Sequence, residues 1–247
     1  MIRPLRPFWS YYGSKYALAP LYPRPQHPLL VEPFAGGAAY ALHYPDLQVL
    51  LIDKDPVIAG LWQYLIRVSE SEILALRDDV DDVTQLGPVA AEARWLVGFW
   101  LGRCRATPLQ AGGAWLRQHR RVRPASFWGA QAKRRIASQL RYIRHWRALC
   151  GEYRDAADRP ATWFVDPPYL TKGGRRYREG STGLDYAALG AWCRTRPGQV
   201  LVCEQAGAAW LPFERLRRAQ GMRGFRDEVV WTPEPRAGVQ LELRAFA

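Results

Sequence analysis

The sequence predicts an α/β protein built on a doubly wound, mostly parallel sheet. Three observations carry that expectation. Short apolar runs of strand length recur at Leu29–Glu32, 48–55, 148–153, 161–168 and 199–207. Segments with helical apolar spacing lie between several of them, and Gly, Asp or Pro punctuates the strand ends. Strand–helix–strand–helix alternation at this spacing is the pattern of right-handed βαβ units. A chain of 247 residues accommodates one large α/β domain, or a core with a smaller inserted one.

Taken in order, "HPLLVEPFAGGAAYALHYP" starts as a strand, breaks at Pro33 and turns through Gly36-Gly37 into a small-residue helix over Ala38–His43. "QVLLIDKD" is a second buried strand with acidic residues at its end. "PVIAGLWQYLIRV" follows with proline at a helix start and apolar positions 57, 58, 61, 62, 65 and 66. Residues 69–148 read as interrupted helix, with amphipathic stretches at 90–107 and 130–149 around an irregular basic loop, "PLQAGGAWLRQHRRVRPASFWG". Strands resume at "ALCGEY", "ATWFVDPP" and "QVLVCEQAG", and helix "LDYAALGAWCRT" joins the last two. "RDEVVWTP" and "GVQLELRAF" read as a C-terminal antiparallel hairpin. The expected division is a core of residues 1–69 and 148–247, with residues 70–147 as a helical, basic insertion.

Composition narrows the function classes. No run reaches the roughly 18 apolar residues of a membrane span, and the N-terminus lacks an apolar signal core. The expectation is a soluble, cytoplasmic protein with no membrane partner. The four cysteines and four histidines show no metal-ligand spacing, so no metal is expected. Net charge is +12, and its distribution is uneven: residues 94–147 hold 13 Lys/Arg and no Asp or Glu, whereas residues 46–92 hold ten acidic and three basic residues. A one-signed block inside a folded chain suits a polyanion-binding surface, because each cation facing a phosphate releases a counterion. The competing reading is a solvated basic helix.

In a doubly wound sheet, ligands sit outside the carboxyl ends of the strands. The first strand end carries Glu32-Pro33-Phe34-Ala35-Gly36-Gly37, where glycine lets backbone approach a ligand. The second carries Asp53-Lys54-Asp55, and an acidic residue there commonly accepts ribose hydroxyls. G-x-G-x-x-G is missing, and Gly13-Ser14-Lys15 lacks phosphate-loop spacing, which disfavours nicotinamide and nucleoside-triphosphate chemistry. The strand 161–168 ends in Asp166-Pro167-Pro168-Tyr169. Two prolines remove two N–H donors, so Asp166 and the Pro167 carbonyl form an acceptor pair suited to an exocyclic amine. Tyr169 offers a flat face to the ring carrying it. The plainer alternative is an Asp-Pro-Pro turn with a packed tyrosine.

"VEPFAGG", "LIDKDP" and "VDPPY", with the leading "PFWSYYGSK", resemble the motifs of S-adenosylmethionine-dependent DNA adenine-N6 methyltransferases, in the group with cofactor motifs first, recognition region in the middle and DPPY last. The resemblance covers nearly the whole chain and is least specific over 70–147. It implies a Rossmann-like methyltransferase core and a cofactor pocket lined by Tyr11, Gly13, Lys15, Phe34, Gly36, Asp53, Tyr153 and Asp166. Phe34 and Gly36 would flank the methionine moiety, Asp53 would bind ribose and Tyr153 would lie near adenine. Two positions depart from the pattern: Ala38 replaces a glycine, which would slightly widen the helix–strand packing, and Asp55 stands where asparagine is usual, with a cap-like role.

The resemblance implies base flipping from duplex DNA. Tyr169 would stack on the base, and Asp166 with Pro167 would hold its amine, with S-adenosylhomocysteine as product and no metal. Arg117, Arg120, Arg121 and Arg123 would contact phosphate or groove, and Arg175 and Arg176 would approach the flipped nucleotide. Cytosine-N4 transfer and an inactive DNA-binding protein are the alternatives. The recognised site, any restriction-modification partner and the oligomeric state stay open.

Overall fold

The computed structural model describes residues 3–120, 127–170, 177–221 and 224–233. Its centre is a seven-stranded sheet of β1 (Leu29–Glu32), β2 (Gln48–Asp53), β3 (Arg147–Cys150), β4 (Ala161–Val165), β5 (Gly198–Gln205), β6 (Glu214–Gly221) and β7 (Gly224–Trp231), in the order β3-β2-β1-β4-β5-β7-β6. The first five run parallel, and β7 pairs antiparallel with both β5 and β6. The architecture is Rossmann-like α/β. Strand order reverses direction between β1 and β4, which makes that crevice the topological switch point.

Alternating side chains send the strands into two apolar layers. Phe164, Leu201 and Cys203 face one cluster, while Trp163, Val165, Val200 and Val202 face the other. Burial on both faces is why β4 reads as a continuous apolar run rather than an alternation. Helix α1 (Pro56–Arg67) lies in the first layer through Ile58, Leu61 and Trp62. The first layer also takes α2 (Glu70–Ala75), α3 (Ala91–Leu101), α4 (Ala114–Arg120) and α5 (Ala130–Leu140). Helix α6 (Tyr186–Thr195) covers the second layer through Leu189 and Cys193.

Local chemistry sets the helix ends. Asp55 caps α1, its side chain accepting the Val57 N–H at 2.9 Å with Pro56 at the first helical position. The cap-like role expected of Asp55 is therefore what the structure has. At the other end, the Arg144 guanidinium donates to the carbonyls of Ile66 and Val68. Ser69 and Glu72 form a capping box on α2, and the Lys133 ammonium takes the carbonyls of Leu74 and Leu76.

Several expected elements change. The helix over Ala38–His43 shrinks to a short 3-10 turn at Ala41–His43. The stretch 130–149 is not one helix: α5 stops at Leu140, Arg144 turns back to α1, the His145 ring bonds the Leu47 carbonyl, and the chain enters β3. Tyr153 falls in a 3-10 turn after β3 rather than in the strand. The stretch 108–129 contains α4, so it is not wholly irregular. The hairpin that closes the sheet pairs β7 with the preceding β6, and the expected second arm at 238–246 lies outside the described residues. Residues 70–147 do interrupt the sheet between α1 and β3, yet Leu96, Phe99, Trp100, Ile136 and Trp146 join the same core as Phe8, Trp9 and Trp62. They share a core with the sheet instead of forming a second one.

Candidate active site

One cavity of about 600 Å³ opens at the carboxyl ends of β1, β2, β3 and β4. That size matches a small-molecule or cofactor site. Tyr11, Gly13, Lys15, Phe34, Gly36, Asp53, Tyr153 and Asp166 all line it. The eight residues singled out for a cofactor come from five separate stretches of chain, and the sheet brings them to one wall.

The β1 turn is shaped by sterics. Gly36 has φ +45, and a Cβ there would stand 2.8 Å from Tyr11 Cε1. Both facts require glycine. Ala38 also adopts a positive φ, +48, while fully buried. Ala38 thus stands at a left-handed position that glycine would take without strain.

The β2 end is held by its own carboxylate. Asp53 Oδ2 accepts the Gly36 N–H at 2.8 Å and Oδ1 accepts the Asp55 N–H at 2.9 Å. Each oxygen keeps a second lone pair for a ligand hydroxyl. Burial pushes the Asp53 carboxyl up to about 6 against these two N–H bonds. Phe34 stacks on Tyr153 with ring centroids 5.7 Å apart, and among the described residues the buried Tyr153 hydroxyl has no hydrogen-bond partner. Arg178 lies 3.9 Å from Asp55, and Tyr177 donates to the Tyr12 carbonyl at 3.3 Å, so 177–178 also lines the cavity.

At the β4 tip, Asp166 Oδ1 lies 3.5 Å from Lys15 Nζ. Burial raises the Asp166 carboxyl, Lys15 opposes it, and Glu228 adds to the rise, to about 6. For Lys15, burial favours the neutral amine, but Asp166 and Glu228 override it and hold the ammonium well above its ordinary range. The turn itself is pinned from two sides. Tyr186 donates its hydroxyl to the Pro168 carbonyl, and Glu204 on β5 accepts the Leu170 N–H at 3.4 Å. Pro167 is buried, and among the described residues its carbonyl takes no hydrogen bond. Tyr169 sits beside the cavity rather than in its wall, with Lys15 4.4 Å from its ring centroid.

Several cations of the basic block serve the fold. Arg94, Arg120, Lys133, Arg135 and Arg144 all donate to backbone carbonyls of the fold. Arg120 additionally pairs with Asp79 at 2.6 Å and Asp81 at 3.2 Å, so its guanidinium is committed inside the protein. Arg117 belongs to α4. Arg121, Arg123, Arg175 and Arg176 lie outside the described residues. Arg105, not singled out from sequence, is exposed next to the cavity wall, since its carbonyl accepts the Tyr12 N–H at 3.1 Å; Arg103 is also exposed, its guanidinium 5.9 Å from the Phe127 ring centroid.

The sequence reading gives Glu32 no role and passes over Glu204 and Glu228, all three buried. For Glu32 and Glu204 the signal is a lone acid within or ending an apolar strand, which is informative because buried charge is rare; Glu228 follows Arg226 and Asp227 and carries no such signal. Among the described residues, no group of three His, Cys, Asp or Glu side chains is placed to hold a metal ion, and no helix is long and apolar enough to cross a membrane. A scan against protein-family models and a search of curated proteins returned no match.

Proposed function

We propose that the chain transfers a methyl group from S-adenosylmethionine to the N6 amine of adenine in DNA. The observation that carries this reading is the meeting of Asp166 with Phe34, Gly36 and Asp53 in one cavity wall at the switch point. The donor set fits the cofactor. Asp53 keeps lone pairs for ribose hydroxyls, Phe34 and Tyr153 supply apolar ring surface, and the orphaned Tyr153 hydroxyl offers a polar contact. When bound, S-adenosylmethionine supplies a methyl group already activated by its sulfonium, and the thioether product is S-adenosylhomocysteine.

The protein's own part is positioning and electrostatics. Asp166 and the Pro167 carbonyl accept the two amine hydrogens and aim the nitrogen lone pair at the cavity. As the nitrogen–methyl bond forms and the methyl–sulfur bond breaks, the amine would gain positive charge, which the Asp166 carboxylate would stabilise until it accepts one amine proton and passes it to water. Tyr169, packed against the turn, limits where the base ring can lie. Duplex DNA would be drawn by exposed cations, Arg103 and Arg105 among them, and the target base has to leave its stack to reach Asp166.

The test is digestion of incubated DNA to nucleosides followed by mass spectrometry. Wild-type protein with S-adenosylmethionine should yield N6-methyldeoxyadenosine, and Asp166→Ala should yield none while still binding the cofactor. N4-methyldeoxycytidine instead would move the reading to cytosine. Neither product, across DNAs of mixed sequence, would leave a DNA-binding protein without transfer activity.

A further inference from the structure

A buried carboxylate behind the DPPY turn has no part in the mechanism above. Glu228 sits on β7 opposite Gln205 of β5 and is 6% exposed. Its Oε1 accepts the Tyr22 hydroxyl at 2.9 Å and also the Tyr169 hydroxyl. Lys15 Nζ lies 3.7 Å from that same oxygen and 3.5 Å from Asp166 Oδ1. One ammonium therefore stands between two carboxylates and against the Tyr169 ring.

We propose that Glu228 is a positioning residue for the amine site: it anchors the Tyr169 ring through its hydroxyl and draws Lys15 away from exclusive pairing with Asp166. The proposal rests on the methyltransferase reading. Its physical basis is charge balance. Lys15 paired with Asp166 alone would neutralise the acceptor where positive charge develops on the amine. A second carboxylate shares the ammonium and leaves the trio with one net negative charge when both acids are ionised. Burying Glu228 is tolerable because two hydroxyls and an ammonium satisfy it.

Asp166 is faced by charged and titratable groups from every neighbouring element: Lys15 and Tyr177 from the cavity wall, Glu32 from β1, Cys203 and Glu204 from β5, and Glu228 from β7. Tyr22 and Tyr169 feel both Asp166 and Glu228. Lys15 pulls Asp166 toward ionisation, and Glu228 pushes it the other way. Removing the Glu228 charge therefore makes Asp166 a weaker base.

Glu228→Gln keeps the shape and the acceptor oxygen but removes the charge, and Glu228→Ala removes both. Single-turnover methyl transfer is followed from pH 5 to 9, with calorimetric binding of S-adenosylmethionine as the control for an intact cavity. In Glu228→Gln the acid limb of the rate profile, set by Asp166, should move down by about one pH unit. Its plateau should fall by up to about tenfold, the rate equivalent of one unit of lost basicity. Glu228→Ala, with the ring unanchored, should lose about 100-fold. Cofactor affinity should hold in both, since Glu228 is not in the cavity wall. An active wild type with a Glu228→Gln variant matching it in plateau and acid limb overturns this role alone. Loss of cofactor binding alongside transfer would make Glu228 a packing residue, and also overturns it. A wild type that transfers no methyl group to DNA overturns the functional reading and this role together.

Discussion

Replacing Glu32 by Gln should abolish a specific loss of stability between pH 6.5 and 8. Glu32 is 2% exposed at the end of β1, and its Oε1 accepts the Ala41 N–H at 2.6 Å. Burial raises its carboxyl from an ordinary 4.5 to about 8, against the opposing Ala41 bond. The folded chain therefore holds this proton after the unfolded chain has lost it. Stability from this group is fully present below pH 4.5 and is lost as pH rises through 8. Over pH 6.5–8 the unfolded residue is already ionised, and the difference integrates to about 1.6 kcal/mol of lost stability. For a chain of this size that is roughly 3–6 °C in Tm. Glutamine keeps the acceptor for Ala41 and cannot ionise, so the decline should vanish. Other titrating groups are common to both proteins and cancel in the comparison. Calorimetric scans at half-unit steps measure the slope, independent of any uniform offset in Tm. Parallel curves for wild type and variant would refute the reasoning, because the Glu32 proton would then be absent in both states.

Asp53→Ala should weaken S-adenosylmethionine binding and also lower the unfolding free energy by about 2–4 kcal/mol, because the Gly36 and Asp55 amides lose their acceptor. Calorimetric titration and urea unfolding read the two effects separately, and unchanged affinity would take Asp53 out of the pocket. Gly36→Ala should cost about 1–2 kcal/mol for its left-handed backbone, and should weaken cofactor binding by displacing Tyr11, whose ring a Cβ would meet at 2.8 Å. Affinity equal to wild type would mean that Tyr11 does not shape the cavity.

Legibility in the sequence followed the range of the interactions. The parallel strands and α1 were readable because a buried strand or an amphipathic helix is encoded in neighbouring residues, as in "TWFVDPP" or "DPVIAGLWQYLIRV". The cavity residues were readable for a related reason, since a doubly wound sheet sends strand ends to one side and thereby gathers Phe34, Asp53 and Asp166. What escaped depends on contacts distant in sequence. Arg144 and Lys133 look like members of a solvent-facing basic block, yet they satisfy carbonyls at the ends of α1 and α2, 57 to 78 residues away. The strand Glu214–Gly221, "ERLRRAQG", has no strand-like composition and is specified by pairing with β7. Glu228 was invisible for the same reason: its partners Tyr22 and Tyr169 lie 206 and 59 residues from it.

The charges divide the molecule into two fields of opposite sign, and that division favours one class of cofactor. The whole chain has 35 basic and 23 acidic residues. Among the described residues the cavity wall reverses the balance: Glu32, Asp53, Asp55, Glu152, Asp166, Glu179 and Asp185 face Lys15, Lys54, Arg154 and Arg178. A nucleotide cofactor rich in phosphate would meet that wall as like charge, with three of its four cations already paired, Lys15 with Asp166, Lys54 with Glu152 and Arg178 with Asp55. A cationic ligand would instead stabilise the ionised forms of Asp53 and Asp166, both pushed up to about 6 by burial. On the proposed reading, a sulfonium in this cavity and a polyanion on the exposed cations would each meet the opposite charge, at sites that stay distinct.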